Sequence, residues 1–305
     1  MPLHTAPLSR RSFFAQSAAA AVGLLVYRQG WSAEAGANPN RIALLSDTHI
    51  PEGPDVLARD TNMTSNLKQV VREILTLTDK PSAVMINGDC AYLKGLPADY
   101  ANLAECVAPL SQAGFPLHMT MGNHDDRGPF YDALKNQKPD RPLLQAKHVT
   151  IVEGPRANWF LLDSLDQVNS TPGEIGAEQR EWLSKGLAAR SEKPAIVMAH
   201  HTPQFEPPAE GKSWGGLKDT AALMELLAGF KHVKAFIFGH SHHWATMQRG
   251  SIHLINLPPV AYVFTAGKPN GWVLADVQEN GLSLELRSID PAHKQHREKL
   301  TLKWL

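Results

Sequence analysis

The chain has 305 residues, 43% of them hydrophobic, enough for one well-buried domain of ordinary size. Lys plus Arg and Asp plus Glu number 30 each, so the formal net charge is zero and no global basic field argues for a nucleic-acid partner. The two cysteines, Cys90 and Cys106, form no metal-binding or redox spacing and favour two buried free thiols, while the 14 histidines make imidazole the conspicuous ligand type.

The first 37 residues differ in kind from the rest. Ser9-Arg10-Arg11-Ser12-Phe13-Phe14 leads into a small-residue apolar stretch from Ala18 to Val26, and Ala33-Glu34-Ala35-Gly36-Ala37 offers small-x-small cleavage positions. This order resembles a bacterial twin-arginine export signal. It implies passage of the folded protein through the twin-arginine machinery and a periplasmic or secreted destination. The apolar stretch is too short for a stable span, and no later segment approaches about 18 uninterrupted apolar residues, so no membrane anchor is expected after cleavage.

Residues 38–305 read as one domain. A buried strand over 41–46 precedes a helix over 64–77, with Leu67, Val70, Val71, Ile74 and Leu75 at helical spacing. A strand over 83–86, a helix over 98–110 and a strand over 115–119 follow, and this alternation predicts parallel pairing through crossovers. Next come adjacent strands over 148–152 and 159–162, a helix over 176–189 and a strand over 195–199. A Pro- and Gly-rich loop over 202–216, a helix over 217–227 and a strand over 235–238 follow. The tail turns to short strands, including 272–277 and 282–288, with Asn280-Gly281 as a hairpin turn between them.

Five short clusters follow these apolar runs: Ser46-Asp47-Thr48-His49, Asn87-Gly88-Asp89, Gly122-Asn123-His124-Asp125, His200-His201 and Gly239-His240-Ser241-His242. In open α/β sheets, sites lie at the carboxyl ends of strands, so five such clusters imply one convergent centre. Asp47 and His49, two apart, are expected to point to one side of an extended segment, as are His240 and His242. Two carboxylates, one amide and four imidazoles exceed the needs of one four-coordinate zinc. They suit two ions bridged by a carboxylate, of the Fe, Mn, Zn or Co type.

The order D-x-H, G-D, G-N-H-D, H, G-H-x-H resembles the calcineurin-like metallophosphoesterase superfamily over about residues 42–244. The resemblance implies an α/β fold, a four-layer αββα sandwich of two mixed sheets face to face with helices outside. It implies Asp47, His49, Asp89 and His242 as ligands of one metal, and Asp89, Asn123, His200 and His240 as ligands of the second. His124 matches the histidine that assists the leaving group, and Asp125 the acid that orients it. The implied activity is hydrolysis of a phosphate ester by a metal-activated hydroxide, and the extension Asp125-Asp126-Arg127 is similar to the cyclic-nucleotide and glycerophosphodiester phosphodiesterase branch. A phosphomonoesterase or nucleotide pyrophosphatase would share every ligand, and a non-catalytic metal-binding protein is the reading from a different class.

Other positions remain open at this level. His200-His201-Thr202-Pro203 fits H-H-P-P with His200 as ligand, or H-x-P with His201. Arg127 is a candidate contact for a substrate oxygen, and Trp214, in the loop between ligand positions, a candidate wall of the substrate pocket. Tyr92, three after Asp89, reads as packing or substrate-side. The expected partner is a small phosphate ester.

Overall fold

The computed structural model describes residues 36–305; the export signal expected over 1–37 falls almost wholly outside them. In chain order, strand β1 (Asn38–Ser46) is followed by a small hairpin, β2 (Leu57–Ala58) and β3 (Thr61–Asn62). Helix α1 (Met63–Thr76), β4 (Pro81–Asn87), α2 (Pro97–Gln112) and β5 (Leu117–Thr120) complete the first run. A short helix α3 (Arg127–Ala133) leads to β6 (Thr150–Glu153), β7 (Asn158–Leu161), α4 (Ala177–Ala188) and β8 (Ala195–Met198). Then come α5 (Thr220–Ala228), β9 (Val233–Phe238), β10 (Ala245–Arg249), β11 (Ile252–Asn256), β12 (Gly271–Gln278), β13 (Gly281–Ser288) and β14 (Lys299–Lys303).

Two six-stranded mixed sheets result, ordered β14-β13-β12-β1-β4-β5 and β10-β11-β9-β8-β7-β6. The parallel pairs β1–β4, β4–β5, β7–β8 and β8–β9 are each joined through a helix, as the alternating pattern predicts. The tail returns to the first sheet: β12 lies antiparallel to β1, with Arg41 opposite Asp276. That register places the Arg41 guanidinium on both carboxylate oxygens of Asp276, at 2.7 and 3.0 Å.

Side-chain alternation builds the layers. On β1, Ile42 and Leu44 pack between the sheets with Met85, Trp159, Met198 and Ile237. Ala43 and Leu45 face the other way, against Leu67 and Val70 of α1 and Leu103 and Val107 of α2. On β8, Ile196 and Met198 point to the shared core, while Val197 packs with Leu183 of α4 and Leu223 and Leu227 of α5. A period of two on each strand therefore produces helix, sheet, sheet, helix: the four-layer sandwich expected from the sequence. Three local ends are capped by side chains. Asn62 accepts from the Ser65 amide at the start of α1, Asp99 accepts from the Leu96 amide at the start of α2, and Asp126 accepts from the Gly128 amide at the start of α3. Cys90 and Cys106 are free and buried. No helix among the described residues is long and apolar enough to cross a membrane.

One core group predicts a pH-dependent stability. Burial, and next the neighbouring His148, hold the His118 imidazole on β5 at about 4, below its ordinary value of 6.5. Its neutral form is favoured in the fold, so this contribution is fully present above about pH 6.5 and is lost as pH falls toward about 4. The interval corresponds to about 3 kcal/mol. Denaturant unfolding at stepped pH should give a shallower acid-side loss for His118→Leu than for the native chain; parallel curves would contradict the assignment.

Candidate metal centre

Loops at the carboxyl ends of β1, β4, β5, β8 and β9 converge on one cleft of about 490 Å³. The backbone arrives there in an unusual way. Asp47, His49, Asp89, His240 and His242 all have positive φ, between 46° and 67°. Non-glycine residues seldom occupy that region, and such strain gathers where a structure needs a side chain in one direction. The extended geometry expected from the i, i+2 spacing is not what the backbone adopts. Asp47 and His49, like His240 and His242, converge through left-handed turns, not through alternation along an extended strand. The turns are held by backbone pairing that continues past the strands, with the Asp47 amide on the Gly88 carbonyl and the His49 amide on the Asp89 carbonyl, at 3.1 and 2.9 Å.

Three groups of ligand atoms lie within 4.8 Å of one another: Asp47-His49-His242, His49-Asp89-His124 and Asp89-His200-His240. In the first, His49 Nε2 lies 2.9 Å from His242 Nε2, which is 3.4 Å from Asp47 Oδ1. In the last, His200 Nε2 lies 3.2 Å from Asp89 Oδ2, which is also 3.6 Å from His49 Nε2. Asp89 thus stands between the two halves.

The chemistry of this donor set fits metal ions. The buried atoms Asn123 Oδ1 and His200 Nε2 have no hydrogen-bond partner, and both belong to the expected ligand set. Burial alone would raise the Asp47 carboxyl, but His200 and His242 outweigh it and hold it at about 2. Burial alone would lower the His200 imidazole, but the Asp89 and Asp47 carboxylates outweigh it and push it up to about 10. A cation bound by Asp89, His200 and His240 would stand in place of that proton. Burial, first of all, takes His49 to about 3 and His240 to about 4, keeping both imidazoles neutral and available as ligands.

Backbone carbonyls set the imidazole tautomers. His200 Nδ1 donates to the Asn87 carbonyl at 2.8 Å, His240 Nε2 to the Gly215 carbonyl at 2.8 Å, and His242 Nδ1 to the Tyr262 carbonyl. Each ring therefore turns its other nitrogen to the centre: Nε2 for His200 and His242, Nδ1 for His240.

Of the adjacent pair, His200 enters a ligand group; His201 is buried beside it, with Nδ1 2.7 Å from Ser164 Oγ. His124 lines the cleft half-buried, its amide on Asp89 Oδ1 at 2.9 Å and its Nδ1 on the Leu93 carbonyl at 2.7 Å. Asp125 is therefore not the group that orients it. The Asp125 carboxylate accepts from the amides of Cys90, Ala91 and Gly122 and from the Tyr100 hydroxyl. It joins the loop after β4 to the loop after β5, and burial with the nearby Asp89 charge pushes it up to about 6.

Two further expectations are corrected. Arg127 does not face the cleft. Its Nε and Nη2 bind both oxygens of the fully buried Asp163, at 2.7 and 2.8 Å, and Nη2 also donates to the Leu165 carbonyl. Trp214 is absent from the cleft lining; the loop offers Thr202, Pro203, Gln204, Gly215 and Gly216 there. Tyr92 is likewise not a lining residue and meets His49 edge-on, 6.5 Å between centroids. Residues that the sequence did not single out complete the wall: Thr171, Tyr262 and Phe264.

Glycine spacing is part of the site. A Cβ at Gly122 would run into the Asp89 carboxylate and backbone nitrogen, and approach His200 Cδ2 to 2.8 Å. Gly122→Ala should lower metal affinity and kcat/KM by about 10- to 100-fold, the range for disturbed ligand support. Elemental analysis beside kinetics on one preparation checks it; native values for both would contradict the packing argument.

A model of the calcineurin-like phosphoesterase family matches residues 40–244. The chain belongs to that family. A cAMP/cGMP dual specificity phosphodiesterase of Mycobacterium tuberculosis is 32% identical over 204 residues, 65% of this chain and 60% of that protein. The 3′,5′-cyclic adenosine monophosphate phosphodiesterase CpdA of Escherichia coli K12 is 30% identical over 228 residues, 73% of this chain and 77% of that one. The family fold is also that of a dimetal phosphatase from Danio rerio, with TM-score 0.67 and 15% identity over 87% of this chain and 99% of the other.

Proposed function

We propose that this chain hydrolyses a phosphodiester, a 3′,5′-cyclic nucleotide in the first instance, at a two-ion centre bridged by Asp89. The observation that carries the proposal is the position of Asp89 between Asp47-His49-His242 and His200-His240, with His124 grouped with His49 and Asp89. The substrate class is supported by the names of the mycobacterial and E. coli relatives. Asp47, His49, Asp89 and His242 would hold one ion, and Asp89, Asn123, His200 and His240 the other, of Fe, Mn, Zn or Co type. Held there, the ions would neutralise charge on the phosphate and would lower the pKa of a water toward neutrality.

The chain's own residues do the rest. Asp89 positions His124 through the His124 amide, and the Leu93 carbonyl fixes its ring. With Nδ1 engaged there, Nε2 is the atom left for the substrate. In the imidazolium form it donates its proton to the oxygen that leaves phosphorus. Pro203, Gly215, Gly216 and Tyr262 line the cleft beside these groups.

The test compares metal-loaded protein on 3′,5′-cAMP, bis-p-nitrophenyl phosphate and p-nitrophenyl phosphate. The diesters should be preferred, and His124→Ala should lower kcat by about 10²- to 10⁴-fold with metals retained. Preference for the monoester would overturn the diester reading, and turnover of none would overturn the hydrolase. We also propose export of the folded protein, on the twin-arginine pattern at Arg10-Arg11. A fusion of residues 1–37 to a reporter should reach the periplasm and stay inside when both arginines become lysine; export of that variant would contradict it.

A further inference from the structure

We infer that Phe264, with Arg59 beside it, is a binding platform for the planar base of the substrate. This rests on the nucleotide phosphodiester reading above and adds the part of the substrate that lies away from phosphorus.

The platform is built on the segment between β11 and β12. That segment is pinned over the first ligand loop: the Val260 amide donates to the Ser46 carbonyl at 2.9 Å and the Ala261 amide to the Asp47 carbonyl at 3.1 Å. Asn66 Nδ2 holds the Val260 and Ala261 carbonyls, at 2.9 and 3.0 Å, and Asn270 Nδ2 holds the Ala261 carbonyl at 2.7 Å. Val260 and Ala261 are fully buried. The two aromatic residues that follow are thus placed by a rigid support.

Each then lies on a ligand imidazole. Tyr262 stacks on His49, with centroids 5.4 Å apart and planes at 20°. Phe264 stacks on His242, at 4.1 Å and 16°. Tyr262 is half-buried, but Phe264 remains 52% exposed, a large apolar ring open to water on the wall of the cleft. Exposed apolar surface rimmed by polar groups marks a contact site, and a cleft of about 490 Å³ is of a size for a ligand far larger than phosphate.

A cation completes the arrangement. The Arg59 guanidinium carbon lies 5.1 Å from the Phe264 centroid and 5.7 Å from that of Tyr262. Arg59 and Asp60 form the two-residue tip between β2 and β3, both with positive φ, 50° and 60°. That is the primed turn geometry, which asparagine and glycine adopt more readily. The strain is accepted at the point where it brings a guanidinium to the aromatic wall. An apolar ring and a planar cation side by side suit a flat, polarisable heterocycle, since bases stack on both.

Calorimetric titration of metal-loaded protein with 5′-AMP and with ribose 5-phosphate isolates the base, because both carry the same phosphate and sugar. The native protein should bind AMP about 5- to 100-fold more tightly, the range for one stacked base. That ratio should fall toward one in Phe264→Ala, return in Phe264→Trp, and fall by about two- to fivefold in Arg59→Ala. Both side chains are exposed, so these substitutions leave the core intact, and metal content is measured on each preparation. A native ratio near one, or a ratio unchanged in Phe264→Ala with metals present, overturns the platform; an unchanged ratio in Arg59→Ala removes Arg59 from it. Diester hydrolysis measured alongside separates the two readings. Turnover without base discrimination leaves the phosphodiesterase standing and the platform lost, and base discrimination without turnover does the reverse.

Discussion

Replacing Asp89 by asparagine is expected to lower kcat/KM on a phosphodiester by more than about 10³-fold, beyond what loss of a single transition-state hydrogen-bond donor costs. At 3.2 Å from His200 Nε2, nearer than Asp47 at 3.9 Å, and 3.6 Å from His49 Nε2, Asp89 lies between the two halves of the centre. Its other oxygen accepts from the His124 amide. Asparagine keeps the size, removes the charge that two cations would share, and presents an amide group that is not an anionic bridge. Metal content should therefore fall together with rate, from two ions per chain to one or none. Elemental analysis and kinetics on the same sample read both. Full metal content with near-native turnover would mean that the two halves are not bridged at this residue.

Arg127→Ala should destabilise the fold by about 3 kcal/mol, the lower part of the range for breaking a buried ion pair. The cost comes from Asp163, which is fully buried and would lose its bidentate partner. The low end applies because Asp163 keeps the amides of His148 and Leu165, at 2.7 and 3.0 Å. Lys147 also stays close, bound to the Asp163, Leu165 and Glu174 carbonyls. Arg127→Lys should recover little, because an ammonium cannot reproduce the forked contact. Urea unfolding measures the loss, and KM for the diester should stay near native. A large rise in KM with unchanged stability would return Arg127 to the substrate side.

How far the sequence was legible follows from what each residue's role depends on. The buried strands were readable because runs such as Ile42-Ala43-Leu44-Leu45 are apolar at every position, whereas the four-layer sandwich was implied by the family resemblance and the division of Ile42 and Leu44 from Ala43 and Leu45 appears only in the fold. The convergence of the site positions was readable because Asp47, Asp89, Asn123, His200 and His240 each follow a strand whose direction the alternation of strands and helices already gives. Orientation was not readable. Asp125 is adjacent to His124 in sequence, yet its carboxylate turns to the amides of Cys90 and Ala91, while the carbonyl of Leu93 takes the imidazole. A carbonyl belongs to every residue, so no residue type announces it. Asp126-Arg127 read as an extension of the metal motif, whereas Asp126 caps α3 and Arg127 opens it. Tyr262 and Phe264 sit 20 and 22 residues beyond His242 in a stretch without periodicity, and only the folded segment brings them back to the centre.

Two ions held about a shared Asp89 are the central claim, and the most direct test is turnover of 3′,5′-cAMP as metal is returned to chelator-stripped protein. The titration uses the most activating of Mn²⁺, Fe²⁺, Zn²⁺ and Co²⁺, at protein concentrations above the dissociation constants. The rate should rise until two equivalents per chain are bound and then level. Levelling at one equivalent, or a rate independent of added metal, would contradict the account.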